Sequence, residues 1–190
     1  MSINDFIINN GILKEYKGPG GEVVIPDGVK SVAYSAFECR EDITSLIIPN
    51  GVKSIDQHAF LNCIGLESVT IPGSMYEIDC GTFIDCTGLK NVRIEDGVVR
   101  IREQAFHGCE SLTSITIPDS IKTIETGAFF NCTSLKTITL PVGVTIEGRG
   151  VFSYNGEDGV FHPLNVCLRI HEGSNAHKYA LQEGLLFELI

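Results

Sequence analysis

The sequence predicts a solenoid: a stack of short coils with a parallel β-sheet along one side and an irregular or short-helical path along the other. Three observations predict it. Phenylalanine falls at positions 37, 60, 83, 106, 129 and 152, each step being 23 residues. Cysteine, leucine, isoleucine and proline columns travel with it at the same interval. No single unit can bury those columns alone, whereas stacked units bury them against one another as one continuous core.

At the N-terminus, residues 5–16 (DFIINNGILKEY) read as two short strands joined by Asn9-Asn10-Gly11. Asn and Gly tolerate the positive φ that a tight hairpin needs. Residues 18–21, Gly-Pro-Gly-Gly, form a turn into the first repeat strand, Glu22 to Ile25. The hairpin is expected to cap the open edge of the sheet, which would otherwise invite association. The domain thus divides into a cap (1–21), repeats (22–152) and a closing segment (153–190).

Within the repeats each Phe is followed three residues later by Cys (Cys63, Cys86, Cys109, Cys132), and three further on by Leu (Leu66, Leu89, Leu112, Leu135). Next comes an apolar pair with one residue between, such as Val69 and Ile71, and then proline at 72, 118 and 141, as earlier at 26 and 49. Glu95 breaks the proline column. The alternation reads as a short strand with two inward side chains, ended by a residue that cannot donate to a ladder. Further apolar columns (Val52, Met75, Val98, Ile121, then Ile55, Ile78, Ile101, Ile124) lead back to Ala-Phe or Thr-Phe on the opposite side. Beyond Phe152 the period fails. Residues 153–165 read as a loop and Val166–Ile170 as a strand. Asn175 to Glu183 read as a short helix capped by Ser174 and stopped by Gly184, and Leu185–Ile190 as a last strand.

The unit, as in CIGLESVTIPGSMYEIDCGTF (63–83) and CESLTSITIPDSIKTIETGAF (109–129), resembles the BspA-like, Treponema-type leucine-rich repeat. The resemblance covers about residues 22–152. It implies an α/β leucine-rich-repeat solenoid, a right-handed superhelix, and roles in protein binding or adhesion, often at a bacterial cell surface. Two departures stand out, both at the ends of the stack. In the first coil Cys39 comes one place early and Arg40 takes the Cys column. In the last, Ile146 comes one place early and Glu147 takes the apolar column.

Composition narrows the function further. Against 14 basic residues stand 24 acidic ones, a formal net charge of -10. That argues against a surface built for nucleic acid and against charge-driven binding to anionic membranes. No apolar run is long enough for a membrane span. The opening Met-Ser-Ile-Asn-Asp-Phe lacks the pattern of an export signal. The chain as written therefore reads as cytoplasmic, at odds with the surface location that the resemblance implies.

No catalytic set, metal site or cofactor emerges. The seven cysteines cannot all pair within one chain. Four of them stand one per coil and cannot converge tetrahedrally on zinc, so they read as buried packing. His162, Cys167 and His171 lie close in sequence but lack a fourth ligand and a known spacing. Asn131-Cys-Thr fits a glycosylation sequon but falls on repeat columns. The loop from Asn155 to Gly159 misses the ligand pattern of a calcium loop.

What remains is the outer face of the strands. One column runs Ser45, Ser68, Asn91, Ser114, Thr137; a second Ile47, Thr70, Arg93, Thr116, Thr139; a third Thr44, Glu67, Lys90, Thr113, Lys136. Ser and Thr suit exposed strand positions in any case. Read functionally, this is a hydroxyl-rich face with a basic centre at Lys90 and Arg93, suited to an acidic or polar protein partner. The expectation is a monomeric, non-enzymatic interaction scaffold. A structural repeat unit with no ligand site of its own is the alternative, and an enzyme with a site near 153–171 the least favoured reading.

Overall fold

The computed structural model describes residues 2–190. After a short 3-10 turn at Ile3–Asp5, β1 (Phe6–Asn9) and β2 (Ile12–Tyr16) pair antiparallel. Asn10 and Gly11, both at positive φ, close that hairpin, the backbone a two-residue turn requires. Each following coil then contributes a longer strand and a two-residue strand. These are β3 (Gly21–Val24) and β4 (Ser31–Val32), β5 (Ile43–Ile47) and β6 (Ser54–Ile55), and β7 (Ser68–Ile71) and β8 (Glu77–Ile78). They continue as β9 (Asn91–Ile94) and β10 (Arg100–Ile101), β11 (Ser114–Thr116) and β12 (Thr123–Ile124), and β13 (Thr137–Thr139) and β14 (Thr145–Ile146). The closing segment holds β15 (Ser153–Asn155), β16 (Phe161–Pro163), β17 (Cys167–Ile170), α1 (Asn175–Glu183) and β18 (Leu186–Leu189).

The coil has three sides. The longer strands pair in parallel, with residues 23 apart in register: Ser68 opposite Asn91, Ser114 opposite Thr137. The two-residue strands line the next side in two parallel runs, β4-β6 and β8-β10-β12-β14, with Arg100 between Glu77 and Thr123. The repeat pattern does not announce these runs, because only the last residue of each strand is apolar and inward. The third side has no helix; it is a turn with two left-handed residues per coil. One stands two places before each repeat Phe (Ser35, His58, Gly81, Gln104, Gly127, Gly150), the other two places after it (Cys39, Asn62, Asp85, Gly108, Asn131). All lie at φ 53 to 71°. Asn, Asp and Gly adopt that backbone most readily, which accounts for the second column. It also explains Cys39, which occupies the left-handed position and not the cysteine column. Asn131 is a column residue too, and its Oδ1 accepts from the Asn155 N–H at 3.1 Å. Backbone bonds such as Phe83 N–H to Ala105 O and Asp85 N–H to His107 O tie successive turns together.

The hairpin does not cap the edge expected of it. β2 pairs with β4, so the hairpin extends the narrow sheet, in the order β1-β2-β4-β6. Among the described residues the outer edge of β3 has no strand partner. The apolar columns decide this: Leu13 and Tyr16 are buried over the end of the core, and they reach it only from that side.

The core is a ladder of rings. Tyr16 stacks on Phe37 at 5.2 Å between centroids, and Phe37, Phe60, Phe83, Phe106, Phe129 and Phe152 follow at 4.9 to 5.7 Å. Phe6 and Tyr179 close its ends. At the last coil, Val144-Thr145-Ile146 does the work of Ile121-Lys122-Thr123-Ile124 with one residue fewer. β14 still pairs in step with β12, so Ile146 and not Glu147 meets Ile124.

Residues 153–165 are not simply a loop. β15 and β16 form an antiparallel ribbon closed by a Gly156–Gly159 turn, in which His162 Nε2–H donates to Asp158 Oδ1 at 3.0 Å. β17 begins at Cys167, one residue later than expected, and pairs with β13, bringing the chain back into the main sheet. Helix α1 has its Ser174 cap and left-handed Gly184 stop, and β18 lies parallel to β17.

Candidate interaction face

In each longer strand the apolar pair points inward, so the intervening and flanking residues point out. Ser45, Ser68 and Asn91 share one register line; Ser114, Thr137 and Cys167 continue it. Ile47, Thr70 and Arg93 form the second line, continued by Thr116, Thr139 and Arg169. Together they line a shallow trough of about 550 Å³ across β5, β7, β9 and β11. Thr137 and Thr139 lie beyond it on β13. Glu67, Lys90, Thr113 and Lys136 immediately precede their strands, are exposed, and form a rim with Thr44.

Charge on this face is distributed differently from the expected basic centre at Lys90 and Arg93. Lys90 Nζ meets Glu67 Oε1 from the preceding coil at 3.0 Å. Exposed pairs of this kind add little stability, but the carboxylate neutralises the ammonium locally. Arg169 is paired likewise with Glu188 at 3.2 Å. Among the described residues Arg93 has neither an ion-pair nor a hydrogen-bond partner. It is thus the free cation of the trough, between the hydroxyls of Thr70 and Thr116.

Two further features were not read from the sequence. The first lies under this face: β9 and β11 are neighbours but share no ladder, so the main sheet consists of two four-stranded halves. The second is Arg40, whose guanidinium forks onto Asp42 at 2.9 and 3.0 Å, donates to the carbonyls of Tyr16 (3.0 Å) and Gly18 (2.6 Å), and lies 4.7 Å over the Tyr16 ring. Asp42 is held below the usual carboxylate range by that bond. The odd residue of the first coil clamps the N-terminal cap: it takes the Tyr16 carbonyl, the counterpart of the Phe carbonyls that the later cysteines use, and reaches on to Gly18.

The cysteine column has a use beyond filling space. The Sγ of Cys63, Cys86, Cys109 and Cys132 each donates to the carbonyl of the Phe in the previous coil (Phe37, Phe60, Phe83, Phe106) at 3.1 to 3.4 Å. Burial pushes the Cys63 and Cys132 thiols up to about 12, and those of Cys86 and Cys109 well above their ordinary value. A thiol so held is a poor nucleophile and metal ligand, because both need the thiolate. His162, Cys167 and His171 are placed apart in role: one on the ribbon with Asp158, one opposite Thr137, and one past the end of β17. Among the described residues no three His, Cys, Asp or Glu side chains gather as metal ligands, and no helix is long and apolar enough to cross a membrane.

Compared with solved structures, the chain is similar to a leucine-rich repeat protein of Bacteroides ovatus, at 26% identity and TM-score 0.72 over 90% of this chain and 42% of that one. A leucine-rich repeat protein of Eubacterium ventriosum matches at 26% identity and TM-score 0.65, over 72% of this chain and 38% of the other. The T. pallidum leucine-rich repeat protein matches at 28% and 0.56, over 89% and 70%. The chain therefore spans only about two fifths of the length of the first two. No curated protein matches it significantly. The family model "BspA type Leucine rich repeat region" matches with 6 copies, over residues 21–103 and 55–157. The 23-residue coil, the ring ladder and the parallel sheets agree with that match: the chain belongs to the BspA-type leucine-rich repeat family.

Proposed function

We propose that this chain is a non-enzymatic scaffold that binds a protein partner through the outer face of its longer strands. The observation that carries the reading is the trough over β5, β7, β9 and β11, open to solvent and floored by short polar side chains around an unpartnered Arg93. Extended solenoid faces suit protein partners because successive coils present side chains at a fixed spacing. Ser68, Thr70, Asn91, Arg93, Ser114 and Thr116 form the floor; Glu67, Lys90, Thr113, Lys136, Thr137 and Thr139 form the surround. The family's setting makes adhesion at a bacterial cell surface the specific form of this proposal.

The test is a binding screen run in parallel on the wild-type chain and on Lys90→Glu/Arg93→Glu. Both side chains are exposed, so the fold should tolerate the change. Partners of the wild type should lose at least tenfold in affinity. If every partner found binds the double variant equally well, the face is wrong.

A further inference from the structure

The third side of the coil ends at a cleft. In the three coils before the last, two N–H groups per turn donate to carbonyls of the following coil: that of the repeat Phe and that of the left-handed residue two places before it. Gly81 reaches Glu103 O and Phe83 reaches Ala105 O. Gln104 and Phe106 reach Thr126 O and Ala128 O, and Gly127 and Phe129 reach Arg149 O and Val151 O, all at 2.9 to 3.2 Å. Gly150 and Phe152 hold the same two places in the last coil, and there no further turn follows. Helix α1 closes the end instead, with the Tyr179 ring 6.3 Å from that of Phe152, and a helix keeps its carbonyls for its own bonds. Among the described residues neither the Gly150 nor the Phe152 N–H has a hydrogen-bond partner. Both residues are buried, and a buried donor without an acceptor has its desolvation left uncompensated. The repeat fixes their direction, along the stack and out of its last coil, as Gly127 and Phe129 point at that coil. Both line a cleft of about 440 Å³ between the turn, the β15–β16 ribbon and α1, a size suited to a small ligand.

A ligand for this cleft must bring acceptor oxygens to the two N–H groups. Arg149, beside Gly150, lines the cleft and is exposed. Among the described residues its guanidinium has neither an ion-pair nor a hydrogen-bond partner, so the acceptor it favours is an anion. Phe161, Pro163 and the Tyr179 ring supply an apolar wall. Glu183, on α1, also lines the cleft and pairs with no cation. It repels a second negative charge, so one carboxylate fits better than a phosphate dianion or a polyanionic chain. We infer that the cleft binds the C-terminus of a peptide. The carboxylate accepts from the Gly150 and Phe152 N–H groups and from the Arg149 guanidinium, and the last side chain, an apolar one, lies against Phe161 and Tyr179. Backbone N–H groups aimed at one point are a known means of capturing terminal carboxylates, and a guanidinium adds a charged fork. A free apolar amino acid offers the same carboxylate and side chain, and the titration below separates the two sources. The cleft shares no lining residue with the trough and does not depend on the reading of that face.

The experiment selects, on the folded full chain, from a library of random heptapeptides displayed with free C-termini. Enriched peptides are synthesised as the acid and as the C-terminal amide. Both are titrated by calorimetry against the wild type, Arg149→Gln, Phe161→Ala and Arg93→Gln, with the free amino acid of the last position run beside them. The three side chains changed are exposed, so the fold should tolerate each. The expected peptides share an apolar last residue. Amidation or Arg149→Gln weakens binding about tenfold or more, since a charged hydrogen bond is lost in each case. Phe161→Ala weakens it too, and Arg93→Gln leaves it unchanged. A free amino acid that binds as tightly as the peptide upholds the carboxylate site and makes the amino acid its ligand. Acid and amide binding alike would overturn the carboxylate site. Binding lost on Arg93→Gln but not on Arg149→Gln would move the peptide to the trough and overturn the cleft. Failure to enrich any peptide, with no binding of free apolar amino acids, would overturn it as well.

Discussion

Replacing Phe106 by alanine tests the ring ladder at its centre. The side chain is fully buried. Its ring lies 5.5 Å from those of both Phe83 and Phe129, within 3° and 10° of parallel. A buried Phe→Ala change costs about 3–5 kcal/mol, and loss of two stacked partners, each about 0.5–1.5 kcal/mol beyond area, places this one at the upper end. With a urea slope of about 2–3 kcal/mol/M the unfolding midpoint should fall by about 2 M. Phe161→Ala supplies the control, the same chemical change on a ring that is 63% exposed, and should shift the midpoint by less than about 0.5 M. Urea titrations followed by far-UV circular dichroism measure both. Equal shifts for the two variants would refute the claim that the repeat phenylalanines form the packed spine.

The remaining predictions concern the cysteines and the cap. In a native thiol assay Cys39 should react fastest and Cys80 and Cys167 more slowly, while Cys63, Cys86, Cys109 and Cys132 stay silent until denaturant is added; reaction of all seven in the folded chain would contradict the buried S–H bonds. For Cys63 and Cys132 the folded value is raised, so their stabilising contribution is complete below the free thiol's value near 9 and is lost as pH climbs from there towards about 12. At pH 10 each has lost roughly 1.4 kcal/mol, and the urea midpoint should fall more steeply between pH 9 and 11 than in Cys63→Ala/Cys132→Ala. Arg40→Ala should cost about 2–3 kcal/mol, since several charged hydrogen bonds go at once, and should speed amide exchange in β1 and β2. Arg40→Cys, which restores the column residue, should be no better.

Much of the fold was legible because the repeat poses the same local question in every coil. The Phe, Leu and Ile columns named the core, and Ser174 and Gly184 marked the helix to the residue. The ribbon of β15 and β16 escaped notice because it lies outside the period and Gly156 and Gly159 read as loop. The runs on the next side escaped because two-residue strands such as Arg100–Ile101 carry a single inward side chain, too little for an alternation to show. Of the candidate face, the register lines through Ser68 and Thr70 follow from the 23-residue step alone. The charge state of the face does not: Lys90 and Arg93 look equivalent until Glu67 is found beside one of them and not the other.

The sequence by itself determined the coil length and the inward columns. Both are properties of a period, and a period is written along the chain. Only the tertiary structure decided which sheet the hairpin joins, why Arg40 stands where cysteine should, and that the main sheet opens between β9 and β11 beneath Arg93. Those outcomes depend on bonds between successive coils, which no local pattern along the chain records.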